Sequence, residues 1–571
     1  MGLKVVKQTA TMIATQAVLL GVVPVVAEAA TFSLEEATVT DINAAFDAGA
    51  LTSEQLTQLY LNRIEAYDEQ GPSLNAIITI NPNALQIAAE LDQERQTTGP
   101  RSPLHGIPVL LKDNYDTFDL PTTNGSLSLE GSIPPNDAFQ TQKLRDAGAV
   151  ILGKTNLHEF ARGVTTISSL GGQTLNPYDT TRVPGGSSGG TGAAIAANFA
   201  TLGTGTDTAI SIRGPASINN LVGIRPTIGL TSRDGIIPLN LKQDVGGPIT
   251  RTVSDAAVML DTLAGYDPAD PVTSTSIGKI PETYTNFLNK DGLSGARIGV
   301  IRQIVEADVA ANPANPEVVG LVNTAIEDMK AQGAEVFDIE VPNLDFYVRT
   351  NPNRTYDRFK YDINNYLASL GPDAPVQSLA EIIESGKYTP SLDTALRTSE
   401  QQTLTPDEDP QYQLYVQNGE DLKAALLSVI EEYDLDAFLY PTATRPPRLI
   451  GDDSPAGGNS LVSSYTGFPT IVAPGGFTSD GLPVGIELLG DAFSEPTLIS
   501  LAYSYEQATL HRRLPESTPP LSGEEFEYEP VPEPSSLLGV FAFGVLGAGL
   551  LLKRKNQKAE IVGCVNNLPC K

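Results

Sequence analysis

Five short apolar runs, each closed by turn-forming or polar residues, recur along this chain. They are Gly106–Asn114 (GIPVLLKDN), Gly148–Asn156 (GAVILGKTN), Ala296–Gln303 (ARIGVIRQ), Asp436–Thr442 (DAFLYPT) and Phe468–Gly476 (FPTIVAPGG). Continuous apolar runs of this length, without strict polar alternation, fit strands that are covered on both faces. Between them the spacing turns helical, as in the later part of Pro72–Gln96 and in Asn315–Val336. Strands alternating with helices predict an α/β protein whose central mixed β-sheet is flanked by helices. No linker, repeat or low-complexity break interrupts residues 33–512, which are therefore expected to form a single large domain.

Composition narrows the function. The 571 residues carry a formal net charge of -31, which repels nucleic acid and excludes it as a partner. The two cysteines, Cys564 and Cys570, stand at the extreme C-terminus, so the body has no thiol nucleophile, Cys metal site or disulfide framework. The three histidines, His105, His158 and His511, are far apart in sequence. No cofactor and no metal is expected.

Both ends read as addresses. Residues 1–29 have a basic start (Lys4, Lys7), an apolar stretch over Met12–Val26 and the small-x-small triplet Ala27-Glu28-Ala29, the pattern of a secretory signal peptide. Residues 513–534 are proline-rich and acidic and are expected to form an extended linker. Residues 535–555 hold an apolar or glycine run, Leu537–Leu552, followed by Lys553-Arg554-Lys555, a transmembrane or sorting segment with a basic stop. Pro532-Glu533-Pro534 before that run resembles the bacterial PEP-CTERM sorting signal. The sequence continues beyond the basic cluster through a short tail, 556–571, so a retained single-span anchor stands beside tail processing. The expected location is exported, at the cell envelope or outside the cell, with membrane attachment through the C-terminal segment. The sequence carries no signal for an oligomeric state.

The chemistry concentrates in RVPGGSSGGTGAAIAANFATLGTGTDTAISIRGPAS, Arg182–Ser217. A phosphate loop would need the Gly-Lys-Ser/Thr that is missing here. Gly185-Gly186-Ser187-Ser188-Gly189 satisfies the G-x-S-x-G of an α/β-hydrolase elbow, but that chemistry needs an acid and then a histidine downstream, and only His511 follows. A loop without chemistry is the third reading; the immediate passage into an Ala-rich helix favours a fixed strand–turn–helix joint.

Taken together, GGSSGGTGAA and LGTGTDTAISIRGPA strongly resemble the amidase signature family of serine hydrolases. Ser187 and Ser211 stand twenty-four positions apart, as the family's two serines do. LHGIPVLLKDNYDT resembles the segment that carries the family's lysine and places it at Lys112; from the residues alone, Lys154 at the end of AVILGK is an equal candidate. The likeness covers most of residues 40–510 and implies the amidase signature fold. It implies hydrolysis of a carboxylic amide C–N bond in a small-molecule or peptide substrate. Ser211 would be the nucleophile, Ser187, after a cis Gly–Ser bond, the relay, and Lys112 the proton acceptor. The backbone N–H groups of Thr208, Ala209 and Ile210 would form the oxyanion hole, with Ser188, Asp207 and Arg213 supporting them.

These residues suit that chemistry. A neutral lysine amine can accept a proton and return it to the leaving amine, provided its pKa falls from about 10.4 towards 7–8. The apolar IPVLL delivers Lys112 into surroundings that lower it. One departure bears on activity: the family writes Asp-Thr-Gly-Gly-Ser where this chain has Asp207-Thr208-Ala209-Ile210-Ser211. A φ above zero at either position would strain a β-branched Ile210. An active amidase with an altered pocket and an impaired, amidase-like envelope protein that binds amides without turnover are therefore both open.

Overall fold

The computed structural model describes residues 29–307, 313–350, 354–454, 457 and 461–531. They fall into two units. The smaller contributes only residues 29–30 and 527–531 to the described chain. The larger, Thr31–Phe526, holds the body. The signal-peptide reading, all but its last residue, and the 535–555 and 556–571 readings lie outside the described residues. Among the described residues no helix is long and apolar enough to cross a membrane.

The body is built on one eleven-stranded sheet. Its strands are β1 (Ile77–Ile80), β2 (Pro108–Lys112), β3 (Val150–Thr155), β4 (Leu202–Asp207), β5 (Val222–Arg225), β6 (Val245–Thr250), β7 (Arg297–Ile301), β8 (Glu335–Ile339), β9 (Ala437–Pro441), β10 (Thr470–Phe477) and β11 (Pro483–Leu489). Their order across the sheet is β8-β7-β9-β11-β10-β5-β6-β4-β2-β3-β1. All five apolar runs are strands: β2, β3, β7, β9 and β10. The sheet is mixed, as expected: β2 runs parallel to β3 and β4, and β7 to β8 and β9, while β4–β6, β5–β6 and β10–β11 are antiparallel.

Helices cover the faces because their apolar residues fall at helical spacing. Pro316–Ala331 starts where the Asn315 side chain accepts from the backbone N–H of Glu317, with Pro316 in the first turn. Its buried stripe is Val318, Val322, Ala325, Ile326 and Met329. A second apolar cluster lies apart from the main core. There Phe359, Ile363, Leu367 and Leu396 pack on Phe160 and Leu239, so a helical elaboration covers the loops after β3 and β5.

One boundary differs from the sequence expectation. Residues 513–526, read as extended linker, pack on the body. Phe526 stacks on Phe32 at 4.9 Å, and Glu524 pairs with buried Arg63 at 2.7 Å, beside Glu35 at 3.2 Å. Composition marked this stretch as acidic; Arg63, 461 residues away in sequence, makes one of those acids a buried partner. Glu524→Ala is expected to lower the unfolding free energy by about 1–3 kcal/mol, since it leaves part of a buried guanidinium unsatisfied. A denaturant titration reads this directly, and an unchanged midpoint would mean the strap carries no stability.

Candidate active site

Three adjacent strands, β2, β4 and β6, deliver the site. Lys112 ends β2, whose five residues are all buried, and its backbone N–H donates to Thr204 Oγ1 at 3.1 Å. Its Nζ lies 2.7 Å from Ser187 Oγ and 2.7 Å from Thr206 Oγ1. Thr206 Oγ1 also accepts from Asn114 Nδ2 at 3.1 Å. Among the described residues no carboxylate forms an ion pair with Lys112. Burial therefore pushes its amine down to about 7, against the upward pull of Asp207 and Asp244 at longer range.

Lys154, the rival lysine, is equally buried, and burial lowers it too. Its partners differ. It donates to Tyr115 O and Thr122 Oγ1, each at 2.8 Å, and lies 3.4 Å from Asp113 Oδ1. It ties down the loop after β2. Asp113 follows Lys112 directly, yet it faces Lys154, because neighbours on a strand point to opposite faces.

Ser187 follows a cis Gly186–Ser187 peptide bond. Its carbonyl accepts from the His158 backbone N–H at 2.9 Å, and a Cβ on Gly186 would stand 2.8 Å from the Val164 backbone, so only glycine fits this crossing. The helix α1 (Gly189–Ala196) then leaves the loop, entirely buried. Glycines are poor helix formers, but a Cβ on Gly190 would stand 2.1 Å from Asn156 O. Close approach to the loop after β3 explains the composition. Ser188 holds the N-cap position of α1 without capping it. Its hydroxyl instead donates to Thr206 O and accepts from Thr206 N, both at 3.3 Å. Its backbone N–H donates to Ser211 O at 3.3 Å and joins the two serine loops.

Ser211 lies between β4 and the helix α2 (Arg213–Ile218). It is 7% exposed, whereas Lys112 and Ser187 are at 0%, so Ser211 is the member of the trio that solvent reaches. Neither Ala209 nor Ile210 adopts positive φ. The Ile210 side chain packs over Gly214, its Cγ1 3.4 Å from where a Cβ on that glycine would stand. The replacement of two glycines thus brings no left-handed backbone strain.

Beneath the loop is a buried ion network. Asp207 contacts Arg213 at 3.1 Å and Arg225 at 3.0 Å, and Arg213 reaches Glu487 at 2.8 Å. Tyr440 donates to Glu487 at 2.8 Å. Burial by itself would raise the Asp207 carboxyl, but the two guanidinium groups hold it at about 2. The network also orients the loop. Arg225 donates to the Asp207 carbonyl and Arg213 to the Ala209 carbonyl. In a trans peptide unit the C=O and the following N–H point in opposite directions. The N–H groups of Thr208 and Ile210 are thereby turned away from the arginines. Among the described residues no group accepts from the N–H of Thr208, Ala209, Ile210 or Ser211. These donors are available to a developing oxyanion.

The structure brings every candidate site residue of the sequence reading into one place. Sequence reasoning missed Thr206, Asn114, Arg225 and Glu487. Thr204 and Thr206 alternate on one face of β4 toward Lys112, and a lone acid inside the apolar PVGIELL of β11 was a visible sign of a buried pair. His511 lies 3.7 Å from Asp328, beyond the C-terminal end of the helix Glu495–Thr509, and plays no part here.

Comparison with known proteins identifies the family and the fold. The Amidase family matches residues 55–499, and the PEP-CTERM protein-sorting motif matches residues 530–555. A probable amidase of Arabidopsis thaliana is 38% identical over 504 residues, covering 85% of this chain and 92% of that protein. An amidase family protein from Bacillus anthracis superposes with a TM-score of 0.75 at 34% identity, over 84% of this chain and 92% of that one. The crystal structure of native peptide amidase from Stenotrophomonas maltophilia superposes with a TM-score of 0.77 at 39% identity, over 85% of this chain and 99% of that one. Fold, site and the extent of these matches together show that the chain belongs to the amidase family.

Proposed function

We propose that this protein hydrolyses the C–N bond of a carboxylic amide through an acyl-enzyme on Ser211. The observation that carries the reading is the buried Lys112 amine, lowered to about 7 and 2.7 Å from Ser187 Oγ. In the first half-reaction Ser211 Oγ attacks the carbonyl carbon while its proton passes to Ser187, whose own proton passes to Lys112 Nζ. The N–H groups of Thr208, Ala209 and Ile210 stabilise the oxyanion. The ammonium then returns a proton to the leaving amine as the C–N bond breaks. In the second half-reaction water replaces the amine: the same relay takes its proton as its oxygen bonds to the acyl carbon, the proton returns to Ser211 Oγ as the ester bond breaks, and the acid is released.

The substrate class is a small amide or a peptide amide, as the likeness to a peptide amidase suggests. The sorting motif at 530–555 supports export and attachment at the cell envelope. The impaired-relative reading rested on strain at Ala209 and Ile210 and on the space the Ile210 side chain takes; neither residue has the backbone conformation that would cause the strain, and the Ile210 side chain packs against Gly214.

A serine-directed fluorophosphonate tests the assignment. Labelling is expected at Ser211, with labelling and amine release both lost in Ser211→Ala. An adduct on Ser187, or turnover that survives in Ser211→Ala, would overturn it.

A further inference from the structure

β6 pairs with β4 so that Val245 faces Asp207 at the catalytic end and Thr250 faces Leu202 at the other. At about 3.4 Å per residue the two ends are roughly 17 Å apart. Just past Thr250, at the far end, lies a cavity of about 390 Å³. Its charged lining includes Arg251, Arg512, Glu36 and Glu506, and its apolar lining includes Pro474, Leu510 and Leu514.

The two guanidinium groups here are held by neutral acceptors, with Asp255 acting on Arg251 only at longer range. Arg251 is 2% exposed and donates to two carbonyls, Ala200 O at 2.9 Å and Ala37 O at 2.7 Å. Arg512 Nη1 donates to Asn220 O at 3.2 Å, and the Tyr178 hydroxyl lies beside the guanidinium, while Nη2 is buried with no acceptor within 3.5 Å. Among the described residues no carboxylate forms an ion pair with either guanidinium. Burial first, and then the neighbouring Arg251 charge, push Arg512 below its ordinary range, while Tyr178 and Glu36 pull it back. Glu506 makes no ion pair with either guanidinium. Burial raises its carboxyl to about 7 against the pull of Arg512, and its Oε1 is occupied by the Val253 N–H at 2.9 Å. A buried guanidinium N–H without an acceptor is costly, and an anion removes that cost.

We infer that this cavity binds a small organic carboxylate, its anionic group held by Arg512 Nη2 beside Arg251 and its hydrocarbon laid on Pro474, Leu510 and Leu514. The guanidinium fork suits a carboxylate's two oxygens, and the apolar wall suits a short chain rather than a bare ion. The site is separate from the catalytic serine and independent of how that serine works.

Isothermal titration of the purified full-length protein with hexanoate, inorganic phosphate and 1-hexanol tests the proposal. One-site hexanoate binding is expected, tighter than phosphate, with no binding of hexanol. Arg512→Gln should weaken hexanoate at least about tenfold, the loss of a charge-assisted hydrogen bond. Hexanoate binding that survives unchanged in Arg512→Gln, equal binding of hexanol, tighter binding of phosphate, or no binding at all would overturn it. If Arg512→Gln unfolds early, Glu506→Gln decides: removing the facing carboxyl should tighten hexanoate, and an unchanged or weaker affinity would sink the proposal.

Discussion

Replacing Lys112 with methionine is expected to lower kcat/KM for a simple amide by about a thousandfold, the scale of a lost general base, while stabilising the protein at pH 6. The two effects share one cause. Burial takes the amine from 10.5 to about 7 in the folded state, so below pH 7 the fold carries a buried charge that the unfolded chain would rather hydrate. At about 1.36 kcal/mol per unit this costs about 5 kcal/mol when fully expressed. The two hydrogen bonds lost with the amine return about 2 kcal/mol. Roughly 3 kcal/mol in favour of the methionine variant remains.

The sign with pH follows from linkage. Between about 7 and 10.5 the unfolded chain holds a proton that the folded one does not, so wild-type stability rises with pH through that window. The variant's advantage is therefore largest below pH 7 and closes toward 10.5. The wild-type rate should rise as pH increases through about 7, where the amine becomes a base. Melting curves at pH 6 and pH 9, and a pH–rate profile, check both claims. A variant within tenfold of wild-type activity, or a rate profile with no step near 7, would remove Lys112 from the chemistry.

Replacing Asp207 with alanine is expected to cost about 3–5 kcal/mol, because it leaves Arg213 and Arg225 facing each other in the interior. Activity should fall as well, even in protein that remains folded. The arginines that lose Asp207 are the ones that hold the carbonyls of Asp207 and Ala209 and so aim the N–H groups of the loop. The wild type reports the same network in acid. Asp207 is held at about 2 against an ordinary 3.8, so its contribution is fully present above about 4 and is lost as pH falls toward 2. Urea titrations of both proteins at pH 7 and pH 3 measure the difference, which should shrink at the lower pH. A gap that stays constant would mean Asp207 is not the charge that matters.

Much of the site was legible because its backbone is local. The glycines of GGSSGG and the apolar IPVLL describe what the chain does over a few residues, and the structure has β2 and α1 where those words stand, with the cis bond where the family likeness implied it. The consequence of Ala209-Ile210 was not legible. Whether a position needs positive φ depends on how the loop crosses its neighbours, and here it crosses with ordinary backbone and Ile210 folded over Gly214. Nor was the end of the domain. An acidic, proline-rich composition reads as a solvated linker until Arg63 supplies a buried partner for Glu524.

The α/β alternation and the five apolar strands were readable from the residues, since strand burial and turn chemistry are written in adjacent residues, whereas Lys112, Ser187 and Ser211 were singled out by the family likeness. From the residues alone Lys112 and Lys154 are equal, and folding is what sets them apart. Both end buried strands, and both are lowered by the same loss of water. They part only in what folding sets against them, a serine hydroxyl for one and a carboxylate for the other. The same holds for Arg213, whose partner Glu487 lies 274 residues along the chain. A side chain's partner is a fact of packing across the sheet, and a one-dimensional pattern carries the strand but not what lies opposite it.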